Sequence, residues 1–258
     1  MEKMLYLAAQ YLAAAAISFL AKKEDDSHTN LEFSITNAHL SSRPLNESGD
    51  LISLDYERFM LVWTNVNWTD TLRLDGSTHE QTLNWLKEKT AKALIAMPYT
   101  YKFHYEPPYE ISDNFTFKLL NANKLAELTH LRIMAQLVLE QFLKANALDS
   151  EIRVWPHHFD TGAYAYTNSK QETAVGLGLA VPDSLISEHY FYISLYHNNA
   201  AISTDHLAAL HEGQWLNTGF RGAVLPAMDT TVETVVDFFQ EAYEHLMKEV
   251  EISQSTQD

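Results

Sequence analysis

The chain has 258 residues, 46% hydrophobic and 20% charged, which is enough apolar material for one large domain or two half-sized units and argues against wholesale disorder. Its formal net charge of −16 opposes binding to nucleic-acid phosphates and anionic lipid, so neither nucleic acid nor membrane is an expected partner. With no cysteine, disulfides, thiolate metal sites, iron–sulfur clusters and cysteine nucleophiles are excluded, and the composition suits a reducing, cytoplasmic interior.

The first element spans residues 4–21, MLYLAAQYLAAAAISFLA, without a charge. Its alanine content, the interruptions Tyr6, Gln10 and Tyr11, and the recurrence of Leu5, Leu12 and Phe19 predict a buried helix rather than a membrane span or signal peptide. Three strands follow, at 31–40, 51–63 and 70–76, the second long enough to be two strands or a bulged one. Ser77-x-x-Glu80 reads as a capping box opening a helix with Leu83, Leu86, Thr90, Ala93 and Met97 in its stripe. The proline- and aromatic-rich stretch after residue 97 reads as a packed connector, placed at 98–121 between halves 1–97 and 122–258.

A long helix is expected over 122–146, then strands over 152–167, 174–181 and 190–196. Thr230-x-x-Glu233 opens a last helix with a stripe of Val232, Val236, Phe239, Tyr243 and Leu246, and the polar tail 252–258 is expected to fray. The predicted fold class is α+β: two similar helix–three-strand–helix halves, with antiparallel sheets covered by helices. Slight echoes between YLAAAAISFL and LVLEQFLKANAL suggest an internal duplication.

The chemistry candidates sit in the second half. Read as a strand, WPHHFD (155–160) sends His157 and His158 to opposite faces and puts His158 and Asp160 on one face with Gly162, Tyr164 and Tyr166. The next strand carries Gly176 and Gly178 between alanines on one face, and the third carries Tyr190, Tyr192 and Tyr196. A glycine–alanine floor flanked by tyrosines, a histidine and a carboxylate has the composition of a small-molecule pocket. Alternatively, the tyrosines fold over the glycines and fill the space.

Three roles are open to the catalytic candidates His158 and Asp160. The carboxylate could orient the imidazole as a general base in a hydrolase-like enzyme, the pair could supply two metal ligands, or it could be a structural hydrogen-bonded pair. No complete metal motif, phosphate loop or nucleophile elbow is present, and the sequence leaves the cofactor, if any, unknown.

Residues 152–229 resemble the C-terminal part of a widespread group of bacterial proteins of unknown function. The resemblance is carried by Trp155–Asp160, Gly176-Leu177-Gly178, Tyr190-Phe191-Tyr192 and WLNTGFRGAVLP (215–226), with His157 standing where relatives often carry glutamate. It brings no activity with it. In the last segment, Trp215 and Arg221 read either as a rim over the sheet face, with Arg221 facing an acidic ligand, or as a loop stapled to the core by its tryptophan. The expected function is small-molecule binding by Asp160, His158, Tyr164, Tyr166, Gly176, Gly178, Tyr190, Tyr192, Trp215 and Arg221. The rivals are the hydrolase-like enzyme and a structural or interaction protein whose tyrosine face meets another subunit, compatible with a homo-oligomer.

Overall fold

The computed structural model describes residues 1–255; of the tail expected to fray, 252–255 continue the last helix and 256–258 lie outside the described residues. Among the described residues four α-helices and two antiparallel sheets make an α+β fold. The chain forms two compact units, Met1–Ile133 with Arg153–Phe159, and Met134–Ile152 with Asp160–Asp258. The 98–121 stretch therefore lies inside the first unit, and the chain crosses between units within a helix, between Ile152 and Arg153, and between Phe159 and Asp160.

In the first unit, α1 (Glu2–Phe19) is buried continuously from Leu5 to Ala16. Alanine suits this position because its small side chain lets neighbours approach on every side. The polar interruptions have partners: Gln10 Nε2 donates to the Pro156 carbonyl at 2.9 Å, Gln10 Oε1 accepts from Tyr105 Oη at 2.6 Å, and Tyr11 Oη lies 2.6 Å from His79 Nδ1. Among the described residues no helix is long and apolar enough to cross a membrane.

The strands β1 (Glu32–Ser34), β2 (His39–Ser41), β3 (Leu51–Asp55), β4 (Met60–Asn65) and β5 (Trp68–Arg73) form a meander in chain order. The apolar run expected at 51–63 is two strands, broken at 56–59, where Asp55 Oδ1 accepts the Arg58 N–H and Phe59 takes a left-handed φ of 53°. Leu40, Leu54, Leu61 and Leu72 face one another across the sheet. Asp50 is fully buried. It accepts from Trp63 Nε1 at 2.7 Å, Asn65 Nδ2 at 2.7 Å and Asn46 Nδ2 at 2.9 Å, so its charge is shared among three donors.

The helix α2 (His79–Lys92) is capped one residue later than the sequence reading: Thr78 and Gln81 form the reciprocal capping box. It ends before Met97, which is 60% exposed and no part of a helical stripe. Residues 98–121 have little regular structure but are anchored by buried Tyr99 and Phe117. The short β6 (Arg153–Val154) bridges back to Leu31 through a reciprocal pair of backbone bonds, Leu31 N to Val154 O at 2.9 Å and Val154 N to Leu31 O at 2.8 Å.

The helix α3 (Ala122–Ala145), close to its predicted span, contains the first boundary between the units, after Ile133. In the second unit, β7 (Thr161–Tyr166), β8 (Thr173–Ala180) and β9 (Tyr190–His197) form a meander, and β10 (Ala200–Ala201) turns back onto β9. WLNTGFRGAVLP holds much of β11 (Gln214–Leu216) and all of β12 (Gly222–Pro226) rather than a loop, and β12 pairs with β9 and β11 with β12. Nothing in this connectivity bears out an internal duplication: the first sheet is a five-strand meander, whereas the second carries β12 and β11 beyond its meander at β9. α4 (Val232–Ser255) buries Val235, Phe238, Phe239, Ala242, Leu246 and Val250, a stripe rotated from the expected one, and packs Phe239 on Phe191 of β9.

Candidate functional site

WPHHFD is not a strand. Pro156–His158 form a turn closed by the Phe159 N–H donating to the Trp155 carbonyl at 2.6 Å, and Phe159 is buried with a left-handed φ of 65°. The argument from alternating faces therefore fails for His158, whereas Asp160 does lie beside Gly162. The turn belongs to the first unit and has structural partners there. Pro156 accepts from Gln10, the Phe159 carbonyl accepts from the Arg132 guanidinium at 3.1 Å, and Phe159 packs edge-on against Tyr6. His157 lies among Tyr105, Trp155 and His158, while His158 itself is exposed.

Asp160 opens the second unit, and its partner there is a tyrosine. Tyr192 Oη donates to Asp160 Oδ2 at 2.7 Å, whereas Asp160 Oδ1 is buried and has no hydrogen-bond partner among the described residues. Burial, with Asp160 next, pushes the Tyr192 phenol well above its ordinary range, so it stays protonated and remains the donor.

The register brings the expected face together. Gly162 faces Gly178, which faces Tyr192; Tyr164 faces Gly176; Tyr166 faces Ala174, which faces Tyr196; and Ala180 faces Tyr190. This is the face opposite the one where Phe191 meets α4. The glycine floor is covered. A Cβ added at Gly178 would lie 2.8 Å from Tyr192 Oη and 2.9 Å from its Cζ, and one at Gly162 would lie 3.0 Å from the same hydroxyl. At Gly176 the neighbours are Tyr196 and Tyr164 at 3.5 and 3.6 Å. Tyrosines thus fill the groove the glycines make.

What remains open is an aromatic surface. Tyr164 and Tyr166 are 50% and 45% exposed and meet edge to face, centroids 5.8 Å apart at 85°. Tyr196 lies 6.0 Å from Tyr164, tilted by 46°. Tyr190 is buried, donating to Asp183 Oδ2 at 2.8 Å, while Asp183 Oδ1 caps the turn at Leu185 and Ile186.

Trp215 does not join this face. It pairs with Ala223 on the α4 side, stands edge-on to His245 of α4, and its indole donates to the Ala208 carbonyl. Arg221 is exposed just before β12, and its carbonyl accepts from Ser194. Sequence reasoning missed one member of the surroundings, Asp183, which sits in a loop that no pattern ties to Tyr190. Alternation already puts Tyr196 on the face of Tyr192.

Among the described residues no group of three or more His, Asp or Glu side chains is placed to hold a metal ion. No family model, curated protein or solved structure matches the chain, so the resemblance to the bacterial group rests on its motif residues alone.

Proposed function

We propose that this protein binds a small molecule on the outer face of the second-unit sheet. The observation carrying the reading is the pair Tyr164 and Tyr166, half exposed side by side over the floor of Gly176 and Ala174. Rigid aromatic rings give a ligand large contact area at little entropic cost, and a flat floor leaves their upper surface clear. Tyr196 extends the platform. Tyr192 and Asp160 supply the polar end. The hydrolase-like alternative is not carried forward, because the strand geometry that would have aligned His158 with Asp160 is replaced by a turn.

The test is a thermal-shift screen of the wild type and the Tyr164→Ala/Tyr166→Ala double variant against a metabolite panel. A compound at about a hundred times its Kd adds about 2.7 kcal/mol of stability. The expected result is a shift in the wild type that the double variant loses while keeping its own melting temperature. A shift that survives in the double variant overturns the reading. So does a panel without hits combined with tyrosine-dependent self-association in sedimentation, which would make the same exposed rings an interface between copies.

A further inference from the structure

A second surface lies in the first unit. β5 is the last strand of its sheet, and among the described residues β4 is its only ladder partner. An antiparallel edge strand turns the N–H and C=O groups of alternate residues outward, where they template another strand. Edges are commonly blunted by proline, bulges or lysines. β5, with the sequence WTDTLR, has none of these, and its inward charge, Asp70, is neutralised by Lys89 at 2.9 Å and Lys92 at 2.7 Å.

Beside that strand runs an open groove of about 690 Å³. On one side are Leu72 and Arg73; on the other are Gln81, Asn84, Trp85 and Glu88 of α2. Those four positions are spaced i, i+3, i+4 and i+7, one face of the helix, with Gln81, Asn84 and Glu88 exposed and Trp85 half-buried. An edge strand flanked by one helix face is the arrangement that accepts an extended peptide. The backbone supplies affinity, and alternate side chains enter the groove.

The chain already uses this pairing just beyond β5. Gly76 N donates to Phe117 O, Phe117 N to Ser77 O and His79 N to Phe115 O, all at 2.9–3.0 Å. The segment leaves this pairing at Leu119, whose N–H goes to the Asp75 carboxylate, so among the described residues β5 has no second ladder partner; at its end the Arg73 carbonyl accepts the Ser77 hydroxyl.

We propose that β5 and α2 dock an extended peptide of a partner protein, which adds to the five-stranded sheet as a further strand. The charges in the groove already have partners, Arg73 with Asp75 and Glu88 with Lys89. The segment it fits is therefore uncharged, with an aliphatic or aromatic side chain set against the Trp85 indole.

The probe is a random heptapeptide library displayed on phage and selected on the whole protein. Enriched sequences are remade as synthetic peptides and as a backbone N-methyl series, and measured against wild type and Asn84→Arg. Asn84 is exposed, so arginine there blocks the groove without touching the core. The expected result is a tenfold or greater loss in Asn84→Arg, and N-methylation that abolishes binding at every second peptide position and spares those between. Three outcomes overturn the proposal: no peptide enriched over an unrelated control protein, affinity indifferent to Asn84→Arg, or N-methyl effects without alternation.

Discussion

Two glycines of β8, two residues apart, face different neighbours. A methyl at Gly178 runs into the Tyr192 ring and the Thr161 carbonyl oxygen, and backbone cannot yield as a flexible side chain does. Gly178→Ala is expected to cost about 1–3 kcal/mol, as overpacking does, and to loosen the Tyr192–Asp160 bond. A methyl at Gly176 meets only ordinary contacts at 3.5 and 3.6 Å, so Gly176→Ala is expected within about 1 kcal/mol of neutral, on the stabilising side. Urea midpoints of the two variants decide it; equal losses would mean the tyrosines do not cover the floor as described. Alternation in the sequence put these glycines and tyrosines on one face because β8 and β9 are regular. It misplaced His158, because the left-handed Phe159 in the preceding turn has no signature in residue type. The Asp160–Tyr192 bond was hidden for another reason: residues 160 and 192 meet only through the register Gly162–Gly178–Tyr192.

At the level of elements, the helices were legible, and α3 begins where expected, but the caps of α2 and α4 were each read one residue early. Ser77-x-x-Glu80 and Thr78-x-x-Gln81 fit the same capping pattern, and the tertiary path chose the second. Ser77 instead donates its hydroxyl to the Arg73 carbonyl. Thr78→Ala is expected to lower stability by about 1 kcal/mol, and Ser77→Ala by clearly less, read as the difference in denaturant midpoint at unchanged slope. The same ambiguity recurs at α4. Thr231, rather than Thr230, accepts the N–H three residues on, at 3.2 Å. Strand number was under-read because turns such as 56–59 contain neither glycine nor proline. There the left-handed position is taken by Phe59, whose burial outweighs its backbone preference.

For the molecule as a whole, the proton balance of folding follows from what is buried. Burial holds the His28 and His79 imidazoles below the ordinary histidine range. The unfolded chain then takes up protons that the folded chain refuses. Their contribution is complete above about pH 6.5, falls as the pH drops through that value, and levels off below the folded pKa values. Urea midpoints measured from pH 7.5 to 5.5 should decline, and the decline should flatten in His28→Gln/His79→Gln; an equal slope in that variant would assign the acid sensitivity to other groups. Buried phenols, Tyr11, Tyr99 and Tyr192 among them, are pushed upward, so stability is complete below about pH 10 and is lost as the pH rises beyond it.

The buried α1 also sets an order of events during synthesis. Gln10 and its partner Pro156 are 146 residues apart in the chain. At ~5–20 residues per second, roughly 7–30 s separate their appearance. Over that interval the strands and then the aromatic segment are made, but an alanine-rich helix, uncharged from residue 4 onward, still lacks the turn that completes its enclosure. The burial that completes the first unit leaves the nascent chain with its most apolar segment waiting longest for cover, and makes it the segment a holding chaperone would meet first.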